Sequence, residues 1–339
     1  MQELRQLGKS ELRVSPLGLG CWQFSRGQGF AGKYWTVISD EEIQKIVLAS
    51  LEGGINWFDT AEAYGGGESE RALARALSGL KRSPGDVIIA TKWRPMFRTS
   101  KSILQTIDIR LKNLDGFPID LYQIHNPFSF SSIRAQMDAM ARLAKDKKIR
   151  FIGVSNFSAH KMRKAQEALS RHGLELASNQ VRYSLLHRSI ETNGVLDTAK
   201  ELGISLIAYS PLAQGILSGR FHDDPNLVQR PAGYRKYMSA FKPKGLEKTR
   251  PVIRALKELA GKYQATPSQV ALNWLINFQG EVVVAIPGAT KVAQAKENVG
   301  ALRFQLTKDE MDYLDKISAK LRDVPQRDTL RASTFEKSR

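Results

Sequence analysis

The sequence predicts an α/β fold, a (β/α)8 barrel of the TIM type, and two observations lead to it. Short apolar or β-branched runs alternate with longer amphipathic segments eight times along the 339 residues. Strands that are apolar throughout and alternate with helices form parallel sheets covered by helices. The repeat of about 30 residues agrees with a barrel of about 250 residues that carries additions. A doubly wound open sheet is the alternative, and eight units favour the barrel.

Each strand is predicted where an apolar run gives way to polar or turn-forming residues. In chain order, the eight strands are expected at residues 17–22, 55–60, 87–93, 120–125, 150–156, 176–183, 204–210 and 282–288. Helices are expected between them, and their starts carry capping signals. Ser39 with Glu42 and Thr266 with Gln269 have capping-box spacing, and Ser158 is expected to cap the helix that follows it.

Three additions extend the barrel. A hairpin pattern surrounds residues 8–10 near the N-terminus, an insertion spans about 211–248, and a tail follows Leu302. In that tail Thr307 and Glu310 form another capping-box pattern, which predicts an extra C-terminal helix.

The chain is expected to form one domain, because no segment within residues 1–339 has the composition of an interdomain linker. The barrel core is predicted over about 4–306, followed by the C-terminal helix and tail at 307–339. The insertion and the end of the tail, at 321–339, show no regular pattern, so no secondary structure is predicted for them.

Composition restricts the class of protein. Hydrophobic residues make up 42% and charged residues 25%, which is typical of a globular chain. A single cysteine, Cys21, excludes an internal disulfide and is typical of a reducing compartment. No run approaches the roughly 18 to 20 apolar residues of a membrane helix, and the first residues carry no apolar targeting segment. We therefore expect a soluble, cytoplasmic protein with no membrane partner.

The charge of +17 and the pI of about 9.9 raise the question of a nucleic-acid partner. Lysines and arginines are scattered among acidic residues, with no basic arm and no recognition-helix signature. We therefore expect no nucleic-acid partner. A positive field still attracts anionic ligands such as a phosphorylated cofactor. The expected partner is a small molecule, and the sequence indicates no oligomeric state.

Four titratable side chains fall at the ends of the second, third and fourth predicted strands or in the loops that follow. Asp59 and Lys92 end strands, Tyr64 follows Asp59 on a glycine-rich turn, and His125 ends the fourth strand. Catalytic groups of such barrels lie at these carboxyl ends. Lys92 follows an apolar run, where an unpaired cation is costly to bury, so Asp59 is its expected partner.

This set of residues favours acid catalysis by a phenol. Free tyrosine has a pKa of about 10 and donates protons reluctantly at neutral pH. The Lys92 ammonium is expected to lower the pKa of Tyr64, and Asp59 is expected to keep the lysine charged. His125 is expected to hydrogen-bond an acceptor oxygen in the pocket. No nucleophile elbow and no metal-ligand spacing appear in the sequence.

The substrate pocket is expected to be walled by aromatic side chains at strand ends. Trp22 and Trp93 both fall beside the four titratable groups and are interpreted as pocket walls. The predicted substrate pocket therefore comprises Trp22, Tyr64, Trp93 and His125.

Six motifs, in this order and spacing, resemble those of the aldo-keto reductases. They are FDTAEAYG, ATKW, DLYQIH, IGVSNF, AYSPLAQGILSGR and IPGATKVAQAKEN. The similarity runs from about Leu4 to Leu306. It implies a barrel that binds NADP(H) in extended form without a Rossmann fold. It also implies that Tyr64 is the general acid of a catalytic tetrad with Asp59, Lys92 and His125, and that a hydride moves from C4 of the nicotinamide to a carbonyl carbon.

The resemblance also implies a set of cofactor-binding residues. Ser155, Asn156 and Gln180 are expected to bind the carboxamide, and Tyr209 to stack on the nicotinamide. Ser210, Pro211, Leu212, Gly215 and Arg220 are expected around the pyrophosphate. Gly288, Ala289, Lys291 and Gln294 are expected around the adenosine 2′-phosphate, with Glu297 and Asn298 at the adenine. The set is completed by Trp22, Asp59 and Ile286.

Phosphate binding is also predicted from the residues themselves. Backbone N–H groups at the start of the helix after 286–288 are expected to form an anion site, to which Lys291 adds a charge. Lys291 favours NADPH/NADP+ as the cofactor. Many family members carry arginine where Gln294 stands, and because this second cation is absent here, NADH is a weaker alternative.

An NADP(H)-dependent carbonyl reductase is the leading functional hypothesis. One alternative is an NADP(H)-sensing binding protein that resembles the potassium-channel β-subunits, which the absence of a segment before Leu4 disfavours. Another is a sugar or polyol dehydrogenase that works in the oxidative direction. A Schiff-base aldolase that uses Lys92 would need no adenosine site and is disfavoured. The substrate itself is not predicted, because loops decide specificity on barrels.

Overall fold

The computed structural model describes residues 3–28, 36–228, 237–319 and 321. Eight parallel strands follow one another in chain order around a curled sheet. Two isolated parallel bridges, Leu17 with Ala285 and Gly20 with Gly288, join its edges and close the barrel. The predicted fold class is therefore confirmed. The strands are β3 Leu19–Gly20, β4 Trp57–Asp59, β5 Ile88–Trp93, β6 Leu121–Ile124, β7 Phe151–Ser155, β8 Leu176–Arg182, β9 Ser205–Tyr209 and β10 Val283–Ala285.

Helices pack outside the strands. They are α1 Asp40–Glu52, α2 Glu68–Gly79, α3 Lys101–Asn113, α4 Ile133–Lys145, α5 Ala159–Ser170, α6 Val195–Leu202, α7 Arg220–Asp223, α8 Pro243–Lys262, α9 Pro267–Asn277, α10 Val292–Gly300 and α11 Lys308–Ala319. Within the described part of the chain, none of them has the length and apolar character needed to cross a membrane.

An antiparallel hairpin fills the amino-terminal end of the barrel. It is formed by β1 (Arg5–Gln6) and β2 (Arg13–Val14). Its apolar side chains pack with the inward-facing residues of the strands in one cluster: Leu7, Leu12, Val14, Trp57, Ala90, Leu121, Ala177, Ile207, Val284 and Ile286. The predicted hairpin is confirmed, and it leaves only the opposite end of the barrel open for a site.

The period of two along each strand places the polar layer above this cluster. Trp57 faces inward, so Asp59, two residues later on the same strand, also faces inward. Ala90 faces inward on the next strand, so Lys92 does too. Each charged residue therefore lies one layer nearer the carboxyl ends of the strands than its apolar neighbour.

Most of the predicted helix caps are present. The Ser158 side chain accepts the Lys161 N–H, and the Thr266 box with Gln269 is complete. The box between Thr307 and Glu310 is also complete, so the extra C-terminal helix forms as predicted.

The predicted capping box at α1 forms only in half. Ser39 accepts the Glu42 N–H, but the Glu42 carboxylate does not return to Ser39. It accepts the N–H of Val292 instead, at 3.2 Å, from the first turn of α10. A tertiary contact has therefore replaced the local one.

The insertion holds more regular structure than the sequence indicates. It contains short 3₁₀ segments at Ala213–Ser218, Pro225–Val228 and Ser239–Phe241. Pro243 then starts α8, where its missing N–H costs nothing because the first turn of a helix has no intrahelical partner for it. The central part of the insertion, 229–236, and the tail from 322 lie outside the described residues.

Candidate active site

A lysine and an aspartate form a buried ion pair at the carboxyl end of the barrel. The side chains of Lys92 and Asp59 are 0% and 1% exposed, and Lys92 Nζ contacts Asp59 Oδ1 directly. The ammonium also donates to the carbonyl of Thr60 at 2.9 Å and to the hydroxyl of Tyr64 at 3.4 Å. Its donors thus connect the carboxylate to the phenol.

Two amides hold the second oxygen of the carboxylate. Gln180 Nε2 donates to Asp59 Oδ2 at 2.8 Å, and Gln123 Nε2 does so at 3.1 Å. Gln123 was not predicted from the sequence. It lies in β6, two residues before His125, which directly follows that strand, so the period of two places both on the inner face.

Burial shifts the pKa values of this group. It raises the pKa of the Tyr64 phenol above its usual value, and the nearby Lys92 ammonium only partly offsets this. The predicted net lowering is therefore wrong, because desolvation of the phenolate outweighs the attraction of one cation. Burial alone would lower the pKa of Lys92, but the charges of Asp59 and Tyr64 and the hydrogen bonds to both together outweigh it, so that pKa is raised and the lysine stays protonated.

His125 is a neutral imidazole beside the phenol. Burial, together with the charges of Lys92 and Arg94, lowers its pKa to about 3. Its ring meets the Tyr64 ring edge-on, with centroids 5.6 Å apart. Trp22 stacks on the Tyr64 ring, with centroids 6.0 Å apart. The phenol thus contacts both an imidazole and an indole.

Trp93 differs from the prediction. It is fully buried in the hydrophobic core, and its indole N–H donates to Ser102 at 3.1 Å. It does not line the cavity described below. Since Lys92 faces inward, the next residue of the strand faces the helices, so Trp93 is a packing residue and not a pocket wall.

A cavity of about 1020 Å³ opens beside Tyr64 and His125. It brings together every residue predicted for cofactor binding: Trp22, Asp59, Ser155, Asn156, Gln180, Tyr209, Ser210, Pro211, Leu212, Gly215, Arg220, Ile286, Gly288, Ala289, Lys291, Gln294, Glu297 and Asn298. The sequence did not indicate further lining residues such as Gln23, Thr36, Arg182 and Thr266. Gln23 lies in a 3₁₀ segment, Thr36 in a loop and Thr266 at the N-cap of α9, where no strand period marks them. Arg182 is the last residue of β8.

One part of the cavity carries amides and an aromatic ring. Asn156 donates through Nδ2 to Ser155 Oγ at 3.0 Å and accepts from the Tyr209 hydroxyl at 3.1 Å. Asn156 and Ser210 have φ angles of 59° and 52°, in the left-handed region that L-residues seldom adopt. The amide nitrogen of Gln180 is engaged within the protein, because it donates to Asp59.

Another part carries the start of α10. The expected anion site is partly taken up by the protein itself, because Glu42 accepts the Val292 N–H. Gln294 Oε1 accepts the Thr290 N–H at 2.7 Å, so this glutamine caps the turn before the helix. Lys291 is exposed at the N-cap position of α10. Its charge is therefore the main cationic feature of this helix end.

The residues present fit an extended nicotinamide dinucleotide. The volume is at the upper end of the range of about 300–1,000 Å³ for small-molecule pockets, which suits an elongated ligand. Amide groups and a phenol ring line the cavity, as do the cations Arg220 and Lys291. A Cβ at Gly288 would lie 2.3 Å from the Gln23 side chain, so that side chain packs directly against the glycine backbone at this point of the wall.

A closed barrel with these groups at the carboxyl ends of its strands is typical of oxidoreductases that lack a Rossmann fold. The chain belongs to the Aldo/keto reductase family, whose model matches residues 16–319. It is 38% identical over 313 residues to an uncharacterized oxidoreductase of Mycobacterium tuberculosis, covering 92% of each chain. It is 34% identical to the chloroplastic pyridoxal reductase of Arabidopsis thaliana, covering 91% of this chain and 85% of that protein.

A solved structure extends the comparison to the fold. The glycerol dehydrogenase of Gluconobacter oxydans superimposes with a TM-score of 0.80 at 27% identity, over 94% of this chain and 95% of that chain. Family membership and fold are therefore established together for the described barrel.

Proposed function

We propose that this protein is an NADP(H)-dependent oxidoreductase that reduces aldehydes or ketones to alcohols. The observation that carries the proposal is the chain of contacts from Asp59 through Lys92 Nζ to the Tyr64 hydroxyl, which lies on the wall of the cavity. Such a chain holds a proton at one point of a pocket and stabilises the anion that is left when the proton departs. The family supports a redox reaction at this site.

The residues of the chain account for the proton side of the reaction. When bound, the nicotinamide supplies a hydride to the carbonyl carbon. Tyr64 is protonated at neutral pH, because burial raises its pKa, and donates its proton to the carbonyl oxygen. The new phenolate lies beside the Lys92 ammonium, which lowers its energy. Hydride and proton together convert C=O to CH–OH.

His125 is assigned the binding of the carbonyl oxygen. A pKa of about 3 keeps the ring neutral, so one ring nitrogen donates and no proton is exchanged with the substrate at neutral pH. Its place beside Tyr64 lets both groups meet the same oxygen atom.

A panel of aldehydes, ketones and sugars tests the proposal directly. We expect loss of NADPH absorbance with at least one carbonyl class, and formation of NADPH from NADP+ with the matching alcohol, since a catalyst accelerates both directions. Pyridoxal and glycerol belong in the panel because relatives carry those names. Binding of NADPH without turnover of any member would favour the cofactor-sensing alternative.

Cofactor choice is proposed to depend on Lys291. One charge-assisted hydrogen bond to a 2′-phosphate contributes about 1.5 to 3 kcal/mol, or roughly 10 to 150-fold in affinity. Lys291→Ala is expected to weaken NADPH by about that factor and to leave NADH nearly unchanged, because NADH lacks the 2′-phosphate. Quenching of tryptophan fluorescence by each cofactor measures both affinities.

Lys296→Ala is the matched control, since Lys296 is an exposed lysine on the same helix. It should change neither affinity. Equal losses for NADPH and NADH in Lys291→Ala would contradict the assignment of Lys291 to the phosphate.

A further inference from the structure

A second buried charge cluster lies behind the tetrad, and none of the steps proposed above uses it. The Glu62 carboxylate contacts Arg98 Nη1 and lies 3.0 Å from Arg110 Nη1, while Arg110 Nε lies 2.9 Å from Glu70. The side chains of Glu62 and Arg110 are only 10% and 7% exposed. Two carboxylates and two guanidinium groups balance one another, as burial of charge requires.

Glu62 lies within the turn that carries the proposed acid. The Tyr64 N–H donates to the Ala61 carbonyl at 3.0 Å, which places Glu62 at the centre of a tight turn. The Glu62 N–H donates to the carbonyl of Lys92 at 3.3 Å. The backbone of this turn is therefore bonded to the strand that carries the lysine.

The partners of the Glu62 carboxylate come from other parts of the rim. Arg98 belongs to the loop after β5, and its carbonyl accepts the Phe130 N–H at 3.1 Å and the Ser129 hydroxyl at 2.9 Å. Those two residues belong to the loop after β6, the strand that His125 follows. Arg110 lies in α3. One carboxylate thus joins the loops after β4, β5 and β6.

The other carboxylate of the cluster has a different surrounding. Glu70, on α2, accepts from Thr91 Oγ1 at 2.6 Å and from Asn113 Nδ2 at 2.8 Å. These contacts bind helices to the outer side of the barrel. Of the four residues of the cluster, Glu62 is the one that lies within the turn of Tyr64.

We propose that Glu62 is a positioning residue, which through Arg98 and Arg110 holds the Tyr64 hydroxyl against the Lys92 ammonium and fixes the loops on either side of the substrate. The inference rests on the proposed role of Tyr64 as the acid. A displacement of about 1 Å at a reacting group can cost about 10²-fold in rate. The ion pair is therefore expected to control turnover as well as stability.

The test compares Glu62→Gln with Glu310→Gln. Glu310 is the matched control, because its side chain is also 10% exposed and pairs with Lys262, and neither residue lines the cavity. We expect Glu62→Gln to lower kcat by about 10²-fold, with KM and the Kd of NADPH changed by less than about 3-fold. Glu310→Gln should lower Tm by a similar amount and keep the wild-type kcat. A wild-type kcat in folded Glu62→Gln would overturn the inference, as would an equal loss in Glu310→Gln.

Arg98 provides a second variant at a more exposed position, 26%, that should fold even if Glu62→Gln does not. Arg98→Lys keeps the charge and should retain most of kcat, whereas Arg98→Met should lose it. Equal kcat values for the two variants would contradict a role for the ion pair.

A spectroscopic readout needs no substrate. The ultraviolet titration step that disappears in Tyr64→Phe reports the ionisation of this phenol. In Glu62→Gln it should move to higher pH, because a displaced phenolate loses the Lys92 charge. An unmoved step would contradict the inference. Turnover that persists in Tyr64→Phe would contradict the proposed function itself. Loss of turnover in Tyr64→Phe together with a wild-type kcat in Glu62→Gln would contradict only the positioning role of Glu62.

Discussion

Tyr64→Phe is expected to remove most of the turnover and to leave NADPH affinity nearly unchanged. General acid–base catalysis contributes about 10² to 10⁴-fold in rate, and we expect kcat to fall within that range. The phenyl ring keeps its contacts with Trp22 and His125, so the wall of the cavity is preserved. Only the hydroxyl that contacts Lys92 at 3.4 Å is lost.

Steady-state kinetics and a fluorescence titration of NADPH measure the two quantities separately. Tyr122→Phe is the matched control, since Tyr122 is also a buried tyrosine of the barrel and its hydroxyl has no hydrogen-bond partner among the described residues. It should turn over substrate at the wild-type rate. A Tyr64→Phe variant with a wild-type kcat would exclude Tyr64 as the acid.

Much of the fold follows from local sequence signals. Each predicted strand is present because an apolar run has few alternatives to a buried strand, and the caps at Ser158, Thr266 and Thr307 act over three residues. The start of α8 was missed because Pro243 and Gly245 lie in a stretch that has the composition of a loop. Pro251 inside the same helix adds to that misleading signal.

The site residues that lie on strands or at their ends were predictable, because side chains alternate between the two faces of a strand. Asp59, Lys92 and His125 follow from the rule that places catalytic groups at strand ends. Counting in twos from Lys92 would have placed Trp93 outside the barrel, and counting back from His125 would have found Gln123. The error over Trp93 therefore arose from treating adjacent residues of one strand as neighbours in space.

Contacts between distant segments have no such signal. Glu42 reaches the Val292 N–H across 250 positions, and Arg98 reaches Glu62 from another loop. The direction of the Tyr64 pKa shift depends on how completely the phenol is desolvated, which only the packed structure gives. Contacts between residues far apart in the chain, and the degree to which a side chain is buried, therefore could not be predicted from local sequence patterns.

Lys92→Met and Asp59→Asn are expected to lower kcat by up to about 10² to 10⁴-fold each, and their effects should not multiply. Lys92 Nζ binds both Asp59 and Tyr64, so either change disturbs the same contact to the phenol. In Lys92→Met, the amides of Gln123 and Gln180 still hold Asp59 in place. The double variant should therefore be about as slow as the slower single variant.

The pH dependence of the residual rate gives the sign of the electrostatic effect. Tyr64 must be protonated to act as the acid, so reduction slows as pH rises through its pKa. The Lys92 ammonium stabilises the phenolate, and removing it raises that pKa further, so the alkaline limb of the residual rate in Lys92→Met should move to higher pH. The titration of His125, with a pKa of about 3, falls well below this range.

The double-mutant cycle separates a catalytic unit from two independent residues. Kinetics of wild type, both single variants and the double variant are measured at one pH on the plateau, with the exposed pair Lys148 and Asp108 as the control. Lys148→Met and Asp108→Asn should leave kcat unchanged, because an exposed ion pair contributes only about 0–1 kcal/mol to stability and this one is not part of the proposed catalytic group. For Lys92 and Asp59 a large coupling free energy is expected, since the aspartate acts only through the lysine. Effects on kcat that simply multiply would show that Asp59 and Lys92 contribute to the reaction independently. The proposed action of Asp59 on Tyr64 through Lys92 would then be wrong.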